Sequence, residues 1–332
     1  MTTMNKTKDK IAVVLLQFGG PDSLDAVEPF LFNLFNDPDI VQVPFGFLLQ
    51  KPLAKYISRN RVKSVREKYA EIGGKSPIIE KTELQRQKLQ EALDEKYGAG
   101  VTTVLTAMRY WKPFTNEIIS ELQTQGIQKV VLLPLYAQYS KTNIASCYNE
   151  WDRVLNNLHL HFDEKRIQSY HLDPTYLASI NEKIDQALKC FPSDKDVYIL
   201  FSAHGIPIDL VFEGDPYPIH IRETMEAVMD LRRRDFPYSL SYQSKIGPKQ
   251  WLTPSTEHTI KEFGANGMKK LLIVPIAFVS DHIETIHELD IELREVATDA
   301  GIEEYIVMEG LNDSPLFIQT LAALAEKEIE SF

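Results

Sequence analysis

The chain has 332 residues, 44% of them hydrophobic and 25% charged, with a formal net charge of −11. That length suits two domains, the composition is that of a folded globular protein, and the acidity argues against a general nucleic-acid binder. Two cysteines, Cys147 and Cys190, have no CxxC spacing and are too few for an iron–sulfur cluster, so they read as reduced thiols of a cytoplasmic protein.

The polar start MTTMNKTKDK has no signal-peptide pattern and runs into a strand, Ile11–Phe18, closed by Gly19-Gly20-Pro21. Neither G-x-G-x-x-G nor a Walker pattern follows, which argues against nucleotide binding. A helix is predicted next, with Asp22 or Ser23 as N-cap and Val27, Phe30, Leu31 and Leu34 on one face. Pro44–Arg61 combines apolar residues with cations, and Lys51, Lys55, Arg59, Arg61, Lys63, Arg66 and Lys68 fall within eighteen residues. A membrane-contacting lip, a pocket wall for an anionic ligand and a solvated helix face all fit that pattern. Arg61–Ala70 reads as a helix stopped by Gly73-Gly74, and Ser76-Pro77 leads into a helix over Ile79–Tyr97. Val101–Met108 is a strand delivering Arg109 and Tyr110 at its end, and Glu117–Gln125 is a helix.

An internal repeat then appears. Gly126–Ala137, GIQKVVLLPLYA, matches Gly267–Phe278, GMKKLLIVPIAF, and Ile11–Pro21 matches Val197–Pro207. Strands separated by helical stretches thus occur twice, which predicts two doubly wound α/β domains with a ligand cleft between them. The second match aligns Phe18 with His204, so an apolar ring opposes an imidazole at two strand ends.

Beyond His204 come a turn-rich loop over Asp209–Pro218, a helix over Ile219–Asp235, a strand over Tyr238–Lys245 and a helix over Thr253–Phe263. Leu271–Phe278 is an apolar run of strand length, too short to span a membrane. From Ser280 the period becomes helical, with Ser280 or Asp281 as N-cap and a last helix predicted over Ser314–Phe332. His282 and Glu284 fall in the strand-to-helix turn, where open α/β sheets place ligands. Glu284, Glu288 and Glu292 recur every four residues, drifting about 40° per step on an α-helix and less if the helix widens to π form. A solvated acidic face and a metal or proton site both fit. His282 and His287 lie about 140° apart on a regular helix, unlike a zinc-protease pair, and no G-x-S-x-G elbow is present.

LFSAHGIP at Leu200–Pro207, GDPYP at Gly214–Pro218, YQSKIGPKQWL at Tyr242–Leu252 and VPIAFVSDHIETIHELDIE at Val274–Glu292 resemble the ferrochelatase family, which inserts ferrous iron into a porphyrin. Gly19–Pro21, YAEIGGKSPI from Tyr69, and MRYWKP at Met108–Pro113 agree with it. The resemblance implies two Rossmann-like domains, 1–150 and 151–311, with a 312–332 helix packing back on the first. It implies that His204 takes pyrrole protons or ligates iron with Glu284 as partner. Asp281, His282, Glu288 and Glu292 would support the pair, and Phe18, Arg61, Tyr69, Ser76, Arg109 and Tyr110 would line the porphyrin site. Protoporphyrin IX is the expected substrate, with coproporphyrin, another tetrapyrrole or a non-catalytic carrier role as alternatives. Fe2+ would be a substrate, with no tightly bound cofactor, no cluster, and a monomer in the cytoplasm. Peripheral membrane contact through 44–57 stays open.

Overall fold

The computed structural model describes residues 10–41, 46–245, 247 and 249–332. Pro44 and Phe45 of the apolar stretch and Pro248 lie outside the described residues. β1 (Ile11–Gln17) leads through α1 (Val27–Phe35), α2 (Gly46–Glu71) and α3 (Ile78–Tyr97) to β2 (Thr102–Met108). α4 (Thr115–Thr124) returns to β3 (Lys129–Pro134), and a short π-helix, Lys141–Ala145, opens α5 (Ser146–Leu158) before β4 (Asp163–Arg166) and α6 (Pro174–Leu188). The second half follows the same plan with β5 (Tyr198–His204), α7 (Ile208–Phe212), α8 (Tyr217–Leu231), β6 (Tyr238–Gln243), α9 (Thr256–Ala265) and β7 (Lys270–Pro275). A second π-helix, Glu284–Glu292, continues as α10 (Leu293–Asp299), then come β8 (Glu304–Val307) and α11 (Pro315–Ile329).

The strands form two four-stranded sheets with orders β2-β1-β3-β4 and β6-β5-β7-β8, every described pairing parallel. The repeat is therefore a repeat of topology. In each sheet the winding direction reverses at the central pair, so crevices open beyond the carboxyl ends of β1 and β3 and of β5 and β7. The apolar strands are buried on both faces. Val13, Leu15, Val131 and Leu133 face one core with Ile199, Phe201, Leu272 and Val274, so the two sheets share it. Ala12, Val14, Leu16, Val130 and Leu132 turn to the other side, against residues of α4 and α5. Alternation with both faces covered is why these strands read as unbroken apolar runs. Each buried aliphatic side chain stabilises the fold by about 1.5–3 kcal/mol.

α11 packs against α3, α6 and β3. Leu89 and Leu93 of α3 meet Phe317, Leu321 and Ala325 of α11 in the shared core, and Lys96 pairs with Glu326 at 2.7 Å. The last helix thus lies against α3 and α6 together.

Several local expectations are corrected. α2 is one helix of 26 residues running through Pro52, rather than separate pieces. Its missing N–H forfeits only the bond that the carbonyl of exposed Leu48 would accept. α1 starts at Val27, because the Ser23 hydroxyl accepts the N–H of Ala26 and closes a turn ahead of the helix. The edge strands β4 and β8 escape hydropathy reading, since DEKR and EYIV lack a buried apolar run. Among the described residues, no helix is long and apolar enough to cross a membrane.

Candidate active site

His204 is the last residue of β5, and Glu284 opens the π-helix after β7, so both sit at the switch point of the second sheet. The chain turns sharply after His204 because the Gly205 N–H donates to the Gln243 carbonyl at 2.9 Å, where a Cβ would come within 3.1 Å of that oxygen. Tyr217 donates its hydroxyl to the His204 carbonyl at 2.9 Å. Trp251 and Phe278 stand edge-on to the imidazole at 6.2 and 6.4 Å.

His204 Nδ1 lies 2.8 Å from Glu284 Oε2, and the two side chains keep 30% and 28% of their surface exposed. They are enclosed yet reachable by a ligand. Burial disfavours the imidazolium, but the charges of Glu284 and Glu288 outweigh it and hold the His204 pKa above its ordinary value. Burial likewise opposes ionisation of Glu284, and His204, His282 and Ser244 more than offset it, so its carboxyl is held below the usual range. Each partner thus holds its charged form more readily than a free side chain would. His282 is pushed down by burial despite Glu284 and Asp281, which leaves it neutral near pH 7. It leans on Phe278 at 4.4 Å, with Nε2 3.9 Å from Glu284 Oε2.

The carboxylate row divides. Ser244 Oγ reaches Glu284 Oε2 at 3.4 Å and Glu288 Oε2 at 2.5 Å, and its backbone N–H donates to Glu288 Oε1 at 2.8 Å. Ser244 adopts φ 66°, a left-handed conformation unusual for serine. Burial and the neighbouring charge of Glu284 raise the Glu288 pKa, so this carboxylate holds a proton more readily than an ordinary one. Glu292 turns away. It meets Lys68 of α2 at 2.6 Å and His287 at 3.7 Å, while His287 also reaches Glu71 at 3.0 Å. Asp281 is buried and bonded to Asn312, Gly310 and Thr285, without touching His204 in any described contact.

The first half supplies an apolar wall. Phe18 packs in one cluster with Tyr110, Tyr69 and Ile283, the neighbour of Glu284. Ser76 is held against β1's end because its N–H donates to the Pro21 carbonyl at 2.8 Å and a Cβ on Gly20 would come within 2.5 Å of it. Tyr69 is buried beside it, its phenol kept neutral by burial despite the Ser76 hydrogen bond. Arg61 is half-buried, its guanidinium 5.7 Å from the Phe35 ring centre.

Arg109 and Tyr110 are not presented to a ligand as expected. Both converge on buried Asp37, Arg109 Nη2 at 2.9 Å and Tyr110 Oη at 2.5 Å, and Ser146 adds a bond at 2.6 Å. Tyr110 has no exposed surface. They brace the wall from behind, with the Phe18 ring 4.6 Å from that of Tyr110.

Ser244, Gln243, Tyr217 and Trp251 joined the site without being singled out by sequence reasoning. They stood inside YQSKIGPKQWL and GDPYP, but no spacing rule aims them at His204. Among the described residues, His171, His220 and Glu223 form a separate group with donor atoms within 4.8 Å of one another. The two imidazoles stack at 3.9 Å and 11°, so their in-plane lone pairs run parallel and do not converge on an ion. In the cleft, His204 and Glu284 offer one nitrogen and one oxygen, a set that leaves most positions of a divalent ion to other ligands.

A family model described as Ferrochelatase matches residues 10–329. Proteins named ferrochelatase from Geobacter metallireducens and Aquifex aeolicus are 46% and 44% identical, each over 96% of this chain and 98% and 100% of their own length. Among solved structures, SirB from Bacillus subtilis with Fe3+ aligns over 96% of this chain and 95% of its own, with a TM-score of 0.53 at 10% identity, a likeness of fold.

Proposed function

The chain belongs to the ferrochelatase family, and we propose that it inserts Fe2+ into protoporphyrin IX, releasing the two pyrrole protons through the His204–Glu284 pair. The observation that carries this reading is the 2.8 Å contact of His204 Nδ1 with Glu284 Oε2, continued through Ser244 to Glu288. A porphyrin N–H needs a base, and His204 is at the strand end where a ligand in the crevice would meet it. A charged His204 must first pass its proton on, and the contact with Glu284 and the Ser244 bridge to Glu288 supply the route. Glu288, with its raised pKa, is the group suited to receive it. Once unprotonated, the His204 nitrogen and Glu284 oxygen suit a borderline ion such as Fe2+, which passes as substrate. Proton and metal thereby exchange at one pair of atoms.

Phe18 and Ile283 supply a wall of the flat apolar site, backed by the buried Tyr69 and Ser76, and Arg61 its cationic side. The exposed Leu48, Leu49 and Tyr56 of α2, interleaved with exposed Lys51, Lys55 and Arg59, support peripheral contact with an anionic membrane, from which protoporphyrin could be taken.

The deciding experiment is an anaerobic Fe2+ insertion assay with protoporphyrin and coproporphyrin side by side. Haem formation from protoporphyrin is expected, with a loss of about 10²–10⁴-fold in His204→Ala while porphyrin still binds. Turnover with coproporphyrin alone, or near-normal turnover in the variant, would overturn the assignment.

A further inference from the structure

The turn that carries Glu284 is held from far along the chain. Asn312 lies in the loop before α11 and is buried. Its Nδ2 donates to Asp281 Oδ2 at 2.6 Å, and its Oδ1 accepts the Asp281 N–H at 3.0 Å. Its own N–H donates to the Val279 carbonyl at 2.8 Å. Asn312 adopts φ 49°, a conformation asparagine tolerates better than most residues. Gly310 completes the clamp, donating to Asp281 Oδ1 at 3.0 Å from a position where a Cβ would come within 2.9 Å of the Asp281 nitrogen.

The same carboxylate oxygen accepts the Thr285 hydroxyl at 3.2 Å, and that hydroxyl caps the His282 N–H at 3.0 Å. A chain of contacts therefore runs from Asn312 through the two oxygens of Asp281 to Thr285, the residue beside Glu284. Gln85 of α3 donates to both the Asn312 carbonyl at 2.8 Å and Ser280 Oγ at 2.9 Å, which ties the clamp to the first half.

We propose that Asn312 is the positioning residue that sets the register of the π-helix and so keeps Glu284 on His204. A π-helix is a rare, locally maintained winding. Without a clamp on its first turn, rewinding to α form would rotate Glu284 relative to the strand that bears His204. The Asp281 carboxylate has, among its described bonds, only neutral donors, and Asn312 provides the amide and acceptor that match it face to face.

This inference rests on the proposed iron insertion, so the test has one readout that needs neither porphyrin nor iron. Nitrogen NMR of the His204 ring reports its bond to Glu284 in the free protein, and steady-state insertion kinetics follow in the same variants. Asn312→Ala should lower kcat by about tenfold or more with a nearly unchanged porphyrin KM, and should shift the His204 Nδ1 resonance. Asn312 Nδ2 also donates to Glu309 Oε1 at 3.2 Å, so Asn312→Asp sets a new carboxylate against both Asp281 and Glu309 and should lose more. The exchange Asp281→Asn with Asn312→Asp rebuilds the pair with its members swapped and should recover at least about tenfold of the kcat that Asn312→Asp loses and move the resonance back toward the parent, the coupling expected of direct partners, with Glu309 keeping it short of full recovery. An Asn312→Ala protein with parental kcat and an unmoved His204 resonance would refute the proposal. So would a double variant no better than Asn312→Asp alone. An unmoved resonance in a chain that inserts no iron refutes it too, whereas a moved and rescued resonance there upholds the clamp and rejects the insertion reading.

Discussion

Lys68 of α2 reaches across the cleft to Glu292, Nζ to Oε1 at 2.6 Å, and so the third acid of the row bridges the two halves. Both side chains are about 40% exposed, at 39% and 41%, which limits the pair's worth to about 0–1 kcal/mol. Glu292→Gln should therefore cost little stability, and turnover should stay within a few-fold of the parent. Glu284→Gln, by contrast, should lose turnover steeply with porphyrin affinity little changed. Equal losses in the two variants, measured by kcat beside urea melts, would restore the row to a single conduit.

The pH profile follows from the same pair. The raised pKa of His204 stabilises the fold below the unfolded imidazole value of 6.5, and that gain is lost as pH rises through the folded value. The lowered pKa of Glu284 stabilises the fold above the unfolded carboxyl value of 4.5, and that gain is lost as pH falls through the folded value. The pair is thus fully stabilising only between 4.5 and 6.5. Glu284→Gln leaves burial to dominate His204, so its titration should move below 6.5 and the rising limb of kcat against pH should move the same way. A titration that stays put, followed by NMR, would detach Glu284 from the imidazole.

Asp37 should govern stability and not ligand affinity. Removing it by Asp37→Ala takes from the Arg109 guanidinium, only 10% exposed, its partner at 2.9 Å and leaves it Glu150 at 3.7 Å, at a cost somewhat under that of a fully uncompensated buried charge, about 3–5 kcal/mol. A lowered denaturation midpoint with an unchanged porphyrin KM is expected. A selective rise in KM would instead put Arg109 at the ligand.

Replacing Leu48, Leu49 and Tyr56 by Ser should release the protein from anionic vesicles in flotation, and raised salt should do so by screening Lys51, Lys55 and Arg59. Flotation unchanged by both would remove α2 from membrane contact.

Much of this protein was legible along the chain because its signals are local. Runs such as IAVVLLQ and KLLIVP announce strands buried on both faces, and their recurrence with the same proline announces a duplicated plan. His204 at a strand end and Glu284 in the next strand-to-helix turn are placed by the same logic, since doubly wound sheets put both at one crevice. The charged strand DEKR, the continuation of α2 through Pro52 and the start of α1 were not legible, because pairing and packing decided them against local preference.

By itself the sequence determined the two α/β halves, the histidine and the acid that meet at the crevice of the second one, and the family resemblance. Only the tertiary structure decided which acids act together. Spacing by four residues makes Glu284, Glu288 and Glu292 look equivalent, but Ser244 from β6's end joins the first two and Lys68 from α2 draws off the third. Those partners lie 40 to more than 200 residues away, and no periodicity within one helix encodes what stands opposite it.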